Sequence, residues 1–431
     1  CQRTRLLLSV TAPGSRCRSY KRCRVRFEVV AVVNQTEKAA KPFAVFATRH
    51  FGYAWACGLL WHLCRWGVAF LGTYLVNDMT GSPRMVQLAG TVLYAPLLLG
   101  GVLGGVISDR FDRLVTVRVQ LLALIPLTVV IGVLVNSDRL EVWMLYVYMF
   151  LVGIGWVTDM TSRRALVFDL VGEARLDSAM AMESLSLSMG MVLGALIGGY
   201  AVDAVGIGAS YFCIAGFLLL ALATLSPVTT PATTRPAASK HPVQDLVEGV
   251  RMLRTNRPLV GVLGVTVIAN FFLFAYFPII PVLAEDLDAS ASLVGLLLAG
   301  TGIGMMVGSL IFARLQPRPR GVVYLVGLFA ALALVVPFAL SSHYGLALAL
   351  IIGSGIGSGF FGSTQSTLAV AAVPEEARGR ALGLLSMAIG GLPVGMYVLG
   401  EIAEQIGPSR ALAFNALAGI AVLTVWIWRH R

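Results

Sequence analysis

The chain has 431 residues, of which 57% are hydrophobic and 13% charged, and its mean hydropathy is +0.81. This composition excludes an ordinary soluble globular protein, in which charged residues make up about a quarter of the chain. The net charge of +11 would suit a nucleic-acid-binding protein, but the basic residues are distributed as in a membrane protein. Long apolar segments predict α-helices in a bilayer, because a helix satisfies its own backbone N–H and C=O groups.

Twelve apolar segments of helical length follow one another along the chain. A helix rises 1.5 Å per residue, so about 20 residues cross a hydrocarbon core of about 30 Å. The predicted spans are Phe51–Met79, Val86–Ile107, Leu114–Val135, Val142–Ala165, Ala179–Val205, Ser210–Ser226, Leu259–Leu283, Ala291–Leu315, Val322–Leu340, Tyr344–Val373, Ala381–Ile402 and Leu412–Trp428. The predicted fold is an all-α membrane protein with twelve transmembrane helices.

The basic residues lie almost entirely on one side of these predicted spans. Of the 33 Lys and Arg residues, 29 lie in the N-terminal arm, the C-terminal tail or alternate connectors. The opposite connectors carry only Arg84, Arg139 and Arg410, and Arg65 lies inside a span. Positive charge is concentrated in the cytoplasmic loops of membrane proteins. We therefore expect a multi-pass protein of the cell (plasma or inner) membrane with both termini in the cytoplasm, and no nucleic-acid partner.

Composition divides the chain into five parts. They are a basic arm (1–50), a first six-helix bundle (51–226), a linker (227–258), a second six-helix bundle (259–428) and a short tail (429–431). We expect the arm to be a disordered segment, or upstream sequence wrongly joined to the gene; a polybasic membrane anchor is the functional alternative. Within the linker, apolar residues recur at helical spacing from Val243 to Leu253, which predicts an amphipathic helix on the inner membrane surface.

The second half of the chain repeats the first. Gly153-Ile-Gly155 returns as Gly355-Ile-Gly357, and the run ending at Arg175 returns in the run ending at Arg378, at a nearly constant offset. A constant offset over several helices indicates duplication. Transporters built from two such halves bind their substrate between them, near the middle of the bilayer. We therefore predict two pseudo-symmetric six-helix bundles around a central cavity.

A short charged loop connects the second and third predicted spans. It reads Gly105-Val-Ile-Ser-Asp109-Arg110-Phe-Asp112-Arg113, and the pattern G-x-x-x-D-R-x-x-R resembles the corresponding loop of the major facilitator superfamily. In that family the loop is a latch at the cytoplasmic end of a rocking helix bundle. We expect Asp109 to face the N-terminus of span eleven, where the helix dipole favours an anion. The expected latch residues are Gly105, Asp109, Arg110, Arg113, Asp169 and Arg378, with Arg113 paired to Asp169.

The resemblance extends over residues 51–428 and is strongest to bacterial siderophore and drug exporters, the enterobactin- and macrolide-exporter-like branch. The motifs that carry it are Thr80-Gly-Ser-Pro83, Asp109-Arg-Phe-Asp-Arg113, Arg163-Arg-Ala-Leu166 and Arg378-Gly-Arg-Ala-Leu382. Two positions depart from the family pattern. Asp112 replaces a Gly of the wider superfamily, and Cys64-Arg65-Trp66 stands where this branch has Gly-Asp-Trp. The second change reverses a charge and bears directly on substrate and coupling.

Arg65 is the most informative single residue, because it lies near the middle of span one. A charged residue there costs at least about 2.5–3.5 kcal/mol and seldom faces lipid. Two interpretations stay open: a structural ion pair with a neighbouring helix, or a cation in the central cavity that binds an anionic substrate. The second is favoured, because spans two to six show no acid at matching depth. His62 and Trp66 share this region, and His62 is either a titrating group or a merely hydrogen-bonded one.

Two acids of the first half, Asp159 and Glu183, are the candidate proton-coupling residues. Asp159 stands four residues before Arg163, so a structural pair near the inner surface is the alternative. Glu183 is either a proton site or a partner of arginines on spans four or two. In the second half, the polar candidates for the cavity are Asn270, Tyr276 and Gln365.

These observations and the resemblance together imply a secondary active transporter that exports a small amphipathic organic molecule by alternating access, driven by proton exchange. The expected partners are that molecule, protons and the bilayer, and the expected state is a monomer. The alternatives are uptake or flipping of an anionic solute or lysolipid, and a membrane sensor or scaffold that does not transport. We expect no enzyme activity, cofactor or metal, because the sequence shows no phosphate-binding loop, metal-ligand set or nucleophile constellation.

Overall fold

The computed structural model describes residues 42–98, 112–172, 175–229, 251–254, 256–374 and 377–429. The helices are α1 (Phe51–Thr80), α2 (Pro83–Tyr94), α3 (Arg113–Asn136), α4 (Val142–Val171), α5 (Leu176–Val205), α6 (Ile207–Thr224), α7 (Arg257–Glu285), α8 (Ala291–Leu315), α9 (Arg320–Ala339), α10 (Tyr344–Ala371), α11 (Arg378–Ile406) and α12 (Pro408–Arg429). All but α2 are long and apolar enough to cross a membrane. The rest of the predicted second span lies outside the described residues. The fold is that of an all-α membrane protein, as the hydropathy predicts.

Local sequence explains several helix ends. Ser82 and Asn256 accept hydrogen bonds from the backbone N–H groups of Met85 and Leu259, and a proline follows each cap. Asp112, the residue that departs from the family loop, caps α3 by accepting from the Val115 N–H at 3.0 Å. These side chains satisfy N–H groups that have no partner within the helix. The departure at Asp112 therefore has a structural explanation.

Two predicted spans are interrupted. In α7 a π turn (Ala269–Leu273) and a 3₁₀ segment (Phe274–Ile279) separate two α-helical parts, and Pro278 and Pro281 lie at this break. Proline has no N–H to donate to the preceding turn, so a regular helix cannot continue through it. In α11 the break is at Gly390. Discontinuous helices near the membrane midplane are typical of transporters.

Helix α4 is longer than predicted, and this changes the depth of its charged residues. It ends at Val171 instead of Ala165, which leaves twelve residues between Asp159 and the end of the helix. At 1.5 Å per residue that is about 18 Å. The sequence-based expectation that Asp159 lies near the inner surface is therefore wrong, because the helix continues past the membrane boundary that hydropathy suggests.

Residues 42–50 are folded, although they were assigned to the disordered arm. Pro42–Ala47 forms a 3₁₀ turn in which Phe46 packs edge-on against Phe51 and Trp55 at 5.3 Å each. Val45 is buried beside residues of α4 and α5. The rest of the arm, and most of the predicted surface helix of the linker, lie outside the described residues.

The helices of the two halves pack in the same pattern. In the first half α3 packs against α6, and in the second α9 packs against α12. The halves meet where α5 crosses α8 and where α2 crosses α11. At the first crossing, a Cβ on Gly199 or Gly295 would overlap the backbone carbonyl of Ala291 or Ala195. Glycine therefore sets how closely the halves approach.

We name the two ends of the bundle by their connectors. The terminal face carries residues 42–50 and the end of α12; the distal face carries the connectors after α1, α3, α5, α7, α9 and α11. The α5–α8 crossing involves the end of α5 and the start of α8, so it lies towards the distal face. Helix α1 is the most enclosed span, with 83% of its most apolar window buried. It passes through the middle of the first half and carries the candidate site.

Candidate functional site

A buried cluster of charged side chains lies among α1, α4 and α5. Arg163 donates from Nε to Asp159 Oδ1 at 2.7 Å and from Nη2 to Asp159 Oδ2 at 3.2 Å. Its Nη1 donates to Glu183 Oε2, and Nη2 lies 2.7 Å from His62 Nε2. We call His62, Asp159, Arg163 and Glu183 the charge cluster. Each is at most 7% exposed.

The helices bring these side chains together through spacing and close packing. Asp159 and Arg163 are four residues apart on α4 and therefore lie on one face. Helix α1 can pass this face because Gly58 lies there, and a Cβ at that position would overlap the Arg163 guanidinium. Trp55 fixes α1 to α5 by donating from Nε1 to the Met182 carbonyl at 2.8 Å. The next residue on α5 is Glu183, the second acid on Arg163.

The cluster combines both sequence-based interpretations of its acids. Asp159 forms the predicted (i, i+4) pair, and Glu183 is the partner of a span-four arginine. Arg163 therefore contacts two carboxylates, and this is the arrangement in which buried charges are tolerated. Glu183 Oε1 and His62 Nδ1 have no hydrogen-bond partner among the described residues. These two buried atoms are where the cluster could exchange a proton.

Arg65 lies one helical turn from His62 on α1, near the middle of the helix. It is 1% exposed, and its guanidinium lies 4.5 Å from the ring centroid of Trp66 and 4.0 Å from that of Trp156. Trp156 packs edge-on against Tyr94 at 5.1 Å. We call Arg65, Trp66, Tyr94 and Trp156 the aromatic cage. Three helices, α1, α2 and α4, contribute to it.

The Arg65 guanidinium has no hydrogen-bond partner among the described residues at Nε, Nη1 or Nη2. The Tyr94 hydroxyl interacts with it electrostatically but is likewise without a hydrogen bond. Desolvated cation–π contacts contribute about 2 kcal/mol each, which offsets only part of the cost of a buried, unpaired charge. The structural ion pair considered for Arg65 is not formed within the described part of the chain.

The depth comparison made from the sequence is wrong in one respect. Asp159, which α4 carries deeper than predicted, interacts electrostatically with Arg65. Its carboxylate oxygens are nevertheless bonded to Arg163. Arg65 therefore has an acid nearby but no acid of its own.

The aromatic cage borders the interface between the two halves. Trp66 and Tyr94 line a narrow gap of about 10 Å³ together with Phe277, Pro278 and Leu298 of the second half. The rings of Trp66 and Phe277 meet edge-on at 5.8 Å. At this level the halves are almost in contact, so the predicted central cavity is closed around Trp66.

The polar residues predicted to line the cavity from the second half lie in two separate groups. Asn270 donates to the Thr266 carbonyl at 2.9 Å, and Gln365 donates to Thr266 Oγ1 at 3.2 Å. The Tyr276 hydroxyl is buried at 3.0 Å from Thr301 Oγ1. Each finds its partner within the second half, so none of the three contacts the charge cluster or the cage.

The predicted latch is described only in part. Arg113 Nη1 donates to Asp169 Oδ1 at 2.6 Å and to the Ala165 carbonyl at 3.2 Å, so the predicted Arg113–Asp169 pair is present. Arg378 is the first residue of α11. Gly105, Asp109 and Arg110 lie outside the described residues. The latch as a functional unit therefore stays a prediction.

Polar contacts between the halves at the distal face were not expected from the sequence. Arg84 Nε lies 2.9 Å from Glu401 Oε1, Ser82 Oγ donates to Glu404 Oε2 at 2.8 Å, and Asn77 donates to Glu285 Oε1. Asp203 on α5 accepts from the backbone N–H groups of Ala291 and Ser292 at 3.2 and 2.8 Å. We call these contacts the distal gate. The sequence signal for it is a set of acids at the distal ends of α5, α7 and α11.

The Asp203 contact predicts how easily the distal gate opens. An anion at a helix N-terminus contributes about 0.3–1 kcal/mol, and Asp203 is exposed, so salt weakens its effect. Asp203→Asn should therefore raise the rate at which a membrane-impermeant maleimide labels a Thr73→Cys variant by about two- to fivefold at low salt. Asp138→Asn, an exposed acid on another distal connector, is the matched control. Equal labelling in the two variants would contradict this role of Asp203.

Relatives and solved structures agree on one family. The family model described as the Major Facilitator Superfamily matches residues 54–387 and 262–431. The chain is 27% identical to the enterobactin exporter EntS of Shigella flexneri over 366 residues, which is 83% of this chain and 86% of that protein. It is also 27% identical to EntS of Escherichia coli O1:K1 over 368 residues, with the same coverage.

The solved structures that resemble the chain share its fold at low sequence identity. A bacterial homologue of the human lysosomal transporter Spinster, in an inward-facing and unoccupied conformation, gives a TM-score of 0.67 at 16% identity and covers 89% of this chain and 96% of its own. A POT family transporter in complex with 5-aminolevulinic acid gives 0.70 at 13% identity, with 88% and 96% covered. The chain therefore belongs to the Major Facilitator Superfamily and is a secondary transporter of the inner membrane that moves a small molecule.

Proposed function

We propose that the chain exports a small amphipathic organic molecule from the cytoplasm in exchange for protons. Its membership of a transporter family and its similarity to proteins named enterobactin exporters support the export of a small molecule. The charge cluster is the observation that carries the coupling part, because a carboxyl group that gains and loses a proton within the membrane is what proton exchange requires.

In this proposal the terminal face is cytoplasmic and both termini lie inside the cell. The distribution of Lys and Arg supports that orientation. The closed distal gate then faces outward, so the conformation is closed to the outside. The two six-helix units (51–226 and 259–428) rock as a monomer about the α5–α8 and α2–α11 crossings, and the linker (227–258) connects them.

Transport requires the distal gate and the latch to open in turn. The Arg113–Asp169 pair ties the start of α3 to the end of α4 at the terminal face. Together with Gly105, Asp109, Arg110 and Arg378, it would hold the terminal face when the distal gate is open. Trp66 at the narrow gap is the proposed contact with substrate from the first half, with Asn270, Tyr276 and Gln365 on the opposite half.

Proton coupling is assigned to Asp159 and Glu183. Arg163 holds both carboxylates, so protonation of either one weakens a contact between α4 and α5 or within α4. Glu183 is the better candidate, because one of its oxygens is free and the acid joins two helices. His62 extends the cluster to α1, the helix that also carries Arg65. A proton taken up here can therefore act on three helices at once.

Flux measured in proteoliposomes tests the proposed function. Purified protein is reconstituted and assayed with amphipathic cations, catecholate siderophores and lysolipids, each with and without a pH gradient. Export in exchange for protons predicts accumulation of at least one compound against its gradient only when the pH gradient is imposed. Equal flux with and without the gradient would contradict the coupling. No flux of any compound would favour a sensor or scaffold.

A further inference from the structure

The aromatic cage holds a cation that the protein leaves unpaired. Arg65 is 1% exposed and makes no hydrogen bond to a described residue, although each charged group around it is engaged elsewhere. Asp159 and Glu183 are both bonded to Arg163. A guanidinium with all its donors free presents a planar fork that matches a carboxylate or another planar oxyanion.

The surroundings of this fork are those of a binding site for an aromatic ligand. Trp66 and Trp156 cover the faces of the guanidinium, and the Tyr94 hydroxyl is a further donor without a hydrogen-bond partner. Trp66 and Tyr94 also line the gap between the two halves, opposite Phe277. Trp156 is the one ring of the cage that is only partly buried. A ligand entering from the gap would therefore meet aromatic rings first and the cation behind them.

We propose that Arg65 is the recognition site for an anionic group of the transported molecule, which is a small aromatic organic anion. The anion pairs with the Arg65 fork and the Tyr94 hydroxyl, while the aromatic body packs against Trp66 and Trp156. This inference rests on the proposed transport function and specifies its substrate class. A purely structural role explains the burial of Arg65 less well, because an apolar side chain would fill the cage without an unpaired charge.

Three probes of equal shape and different charge test the proposal on the purified full-length protein in nanodiscs. They are naphthalene-2-carboxylate, naphthalene-2-carboxamide and naphthalen-2-ylmethylammonium. The wild type should bind the carboxylate at least about tenfold more tightly than the amide, and the ammonium least. This comparison needs no variant, so it holds even where a substitution impairs folding. Equal affinity for the three probes would overturn the proposal.

Variants then assign the preference to Arg65. Arg65→Gln should remove the preference for the carboxylate while the affinity for the amide changes by less than about twofold, and Arg65→Lys should restore it only in part, since an ammonium lacks the planar fork. Arg139→Gln, which removes an exposed positive charge on the distal face, is the matched control. Arg65→Gln should also be at least as thermally stable as the wild type. Retention of the full carboxylate preference by Arg65→Gln would overturn the assignment.

The outcomes separate this inference from the proposed function. If proteoliposomes show proton-driven flux of cations that is unchanged in Arg65→Gln, transport stands and the anion site is wrong. If no compound is transported but the wild type still prefers the carboxylate through Arg65, the anion site stands and the proposed transport is wrong. A different role for Arg65, as a partner of Asp159 in another conformation, would slow flux in Arg65→Gln without changing the charge preference, and this too would overturn the proposal.

Discussion

Arg163→Gln should destabilise the folded protein by about 3–5 kcal/mol, which is the usual cost of removing one partner from a buried ion pair. The reason is that Asp159 and Glu183 would both stay buried without a cation, since Arg163 bonds to each of them and all three side chains are at most 7% exposed. His62 would lose its partner as well. The measurement is denaturation by SDS in mixed micelles, followed by intrinsic fluorescence.

Two matched variants give this result its meaning. Arg84→Gln removes the same group from a pair that is 56% and 31% exposed, and it should cost no more than about 1 kcal/mol. The triple variant Arg163→Gln, Asp159→Asn, Glu183→Gln should recover part of the lost stability, because no unpaired carboxylate remains. A loss of less than about 1 kcal/mol in Arg163→Gln alone would show that the acids of the charge cluster are already protonated.

Glu183→Gln should abolish accumulation driven by a pH gradient while leaving substrate binding within about twofold of the wild type. Glutamine keeps the shape of the side chain and an oxygen that can accept from Arg163, but it cannot gain or lose a proton. Counterflow of labelled against unlabelled substrate, which needs no proton movement, should continue. Accumulation and counterflow in the same proteoliposomes therefore separate coupling from transport.

Asp159→Asn is tested beside Glu183→Gln, because the two acids share Arg163. Asp288→Asn, which removes an exposed acid on a distal connector, is the control and should accumulate substrate as the wild type does. If both Glu183→Gln and Asp159→Asn still move substrate uphill, the coupling site lies elsewhere in the chain or the protein is a facilitator.

Much of the fold could be predicted from the sequence, because hydropathy and charge act locally. Continuous apolar runs fix where a helix lies in the membrane, and Gly81 and Gly206, both in positive-φ conformations, end α1 and α5 within a residue or two of the predicted limits. The break in α7 could not be located, because Phe-rich sequence before Pro278 is as apolar as a regular span. Hydropathy registers what faces lipid, not which backbone hydrogen bonds are made.

The candidate site could be predicted only where its residues are close in the chain. Asp159 and Arg163 are four residues apart, so their pairing follows from helix geometry. His62 joins them because α1 packs against α5 with a particular register, set by contacts such as that of Gly190 with His62. A register between distant helices cannot be derived from one sequence. The distal gate depends on how two halves of the chain meet, and the same limit applies.

The central claim is that transport requires the distal face, closed in this structure, to open. Ser82→Cys and Glu404→Cys, introduced together in a background without the six native cysteines, place two thiols across the distal gate. Cross-linking them with a short bis-methanethiosulfonate should stop flux in proteoliposomes, and reduction should restore it. Asp286→Cys with Ser409→Cys, a pair on the same face but within the second half, should be cross-linked without loss of flux. Transport at the uncross-linked rate with the distal gate held shut would contradict the claim.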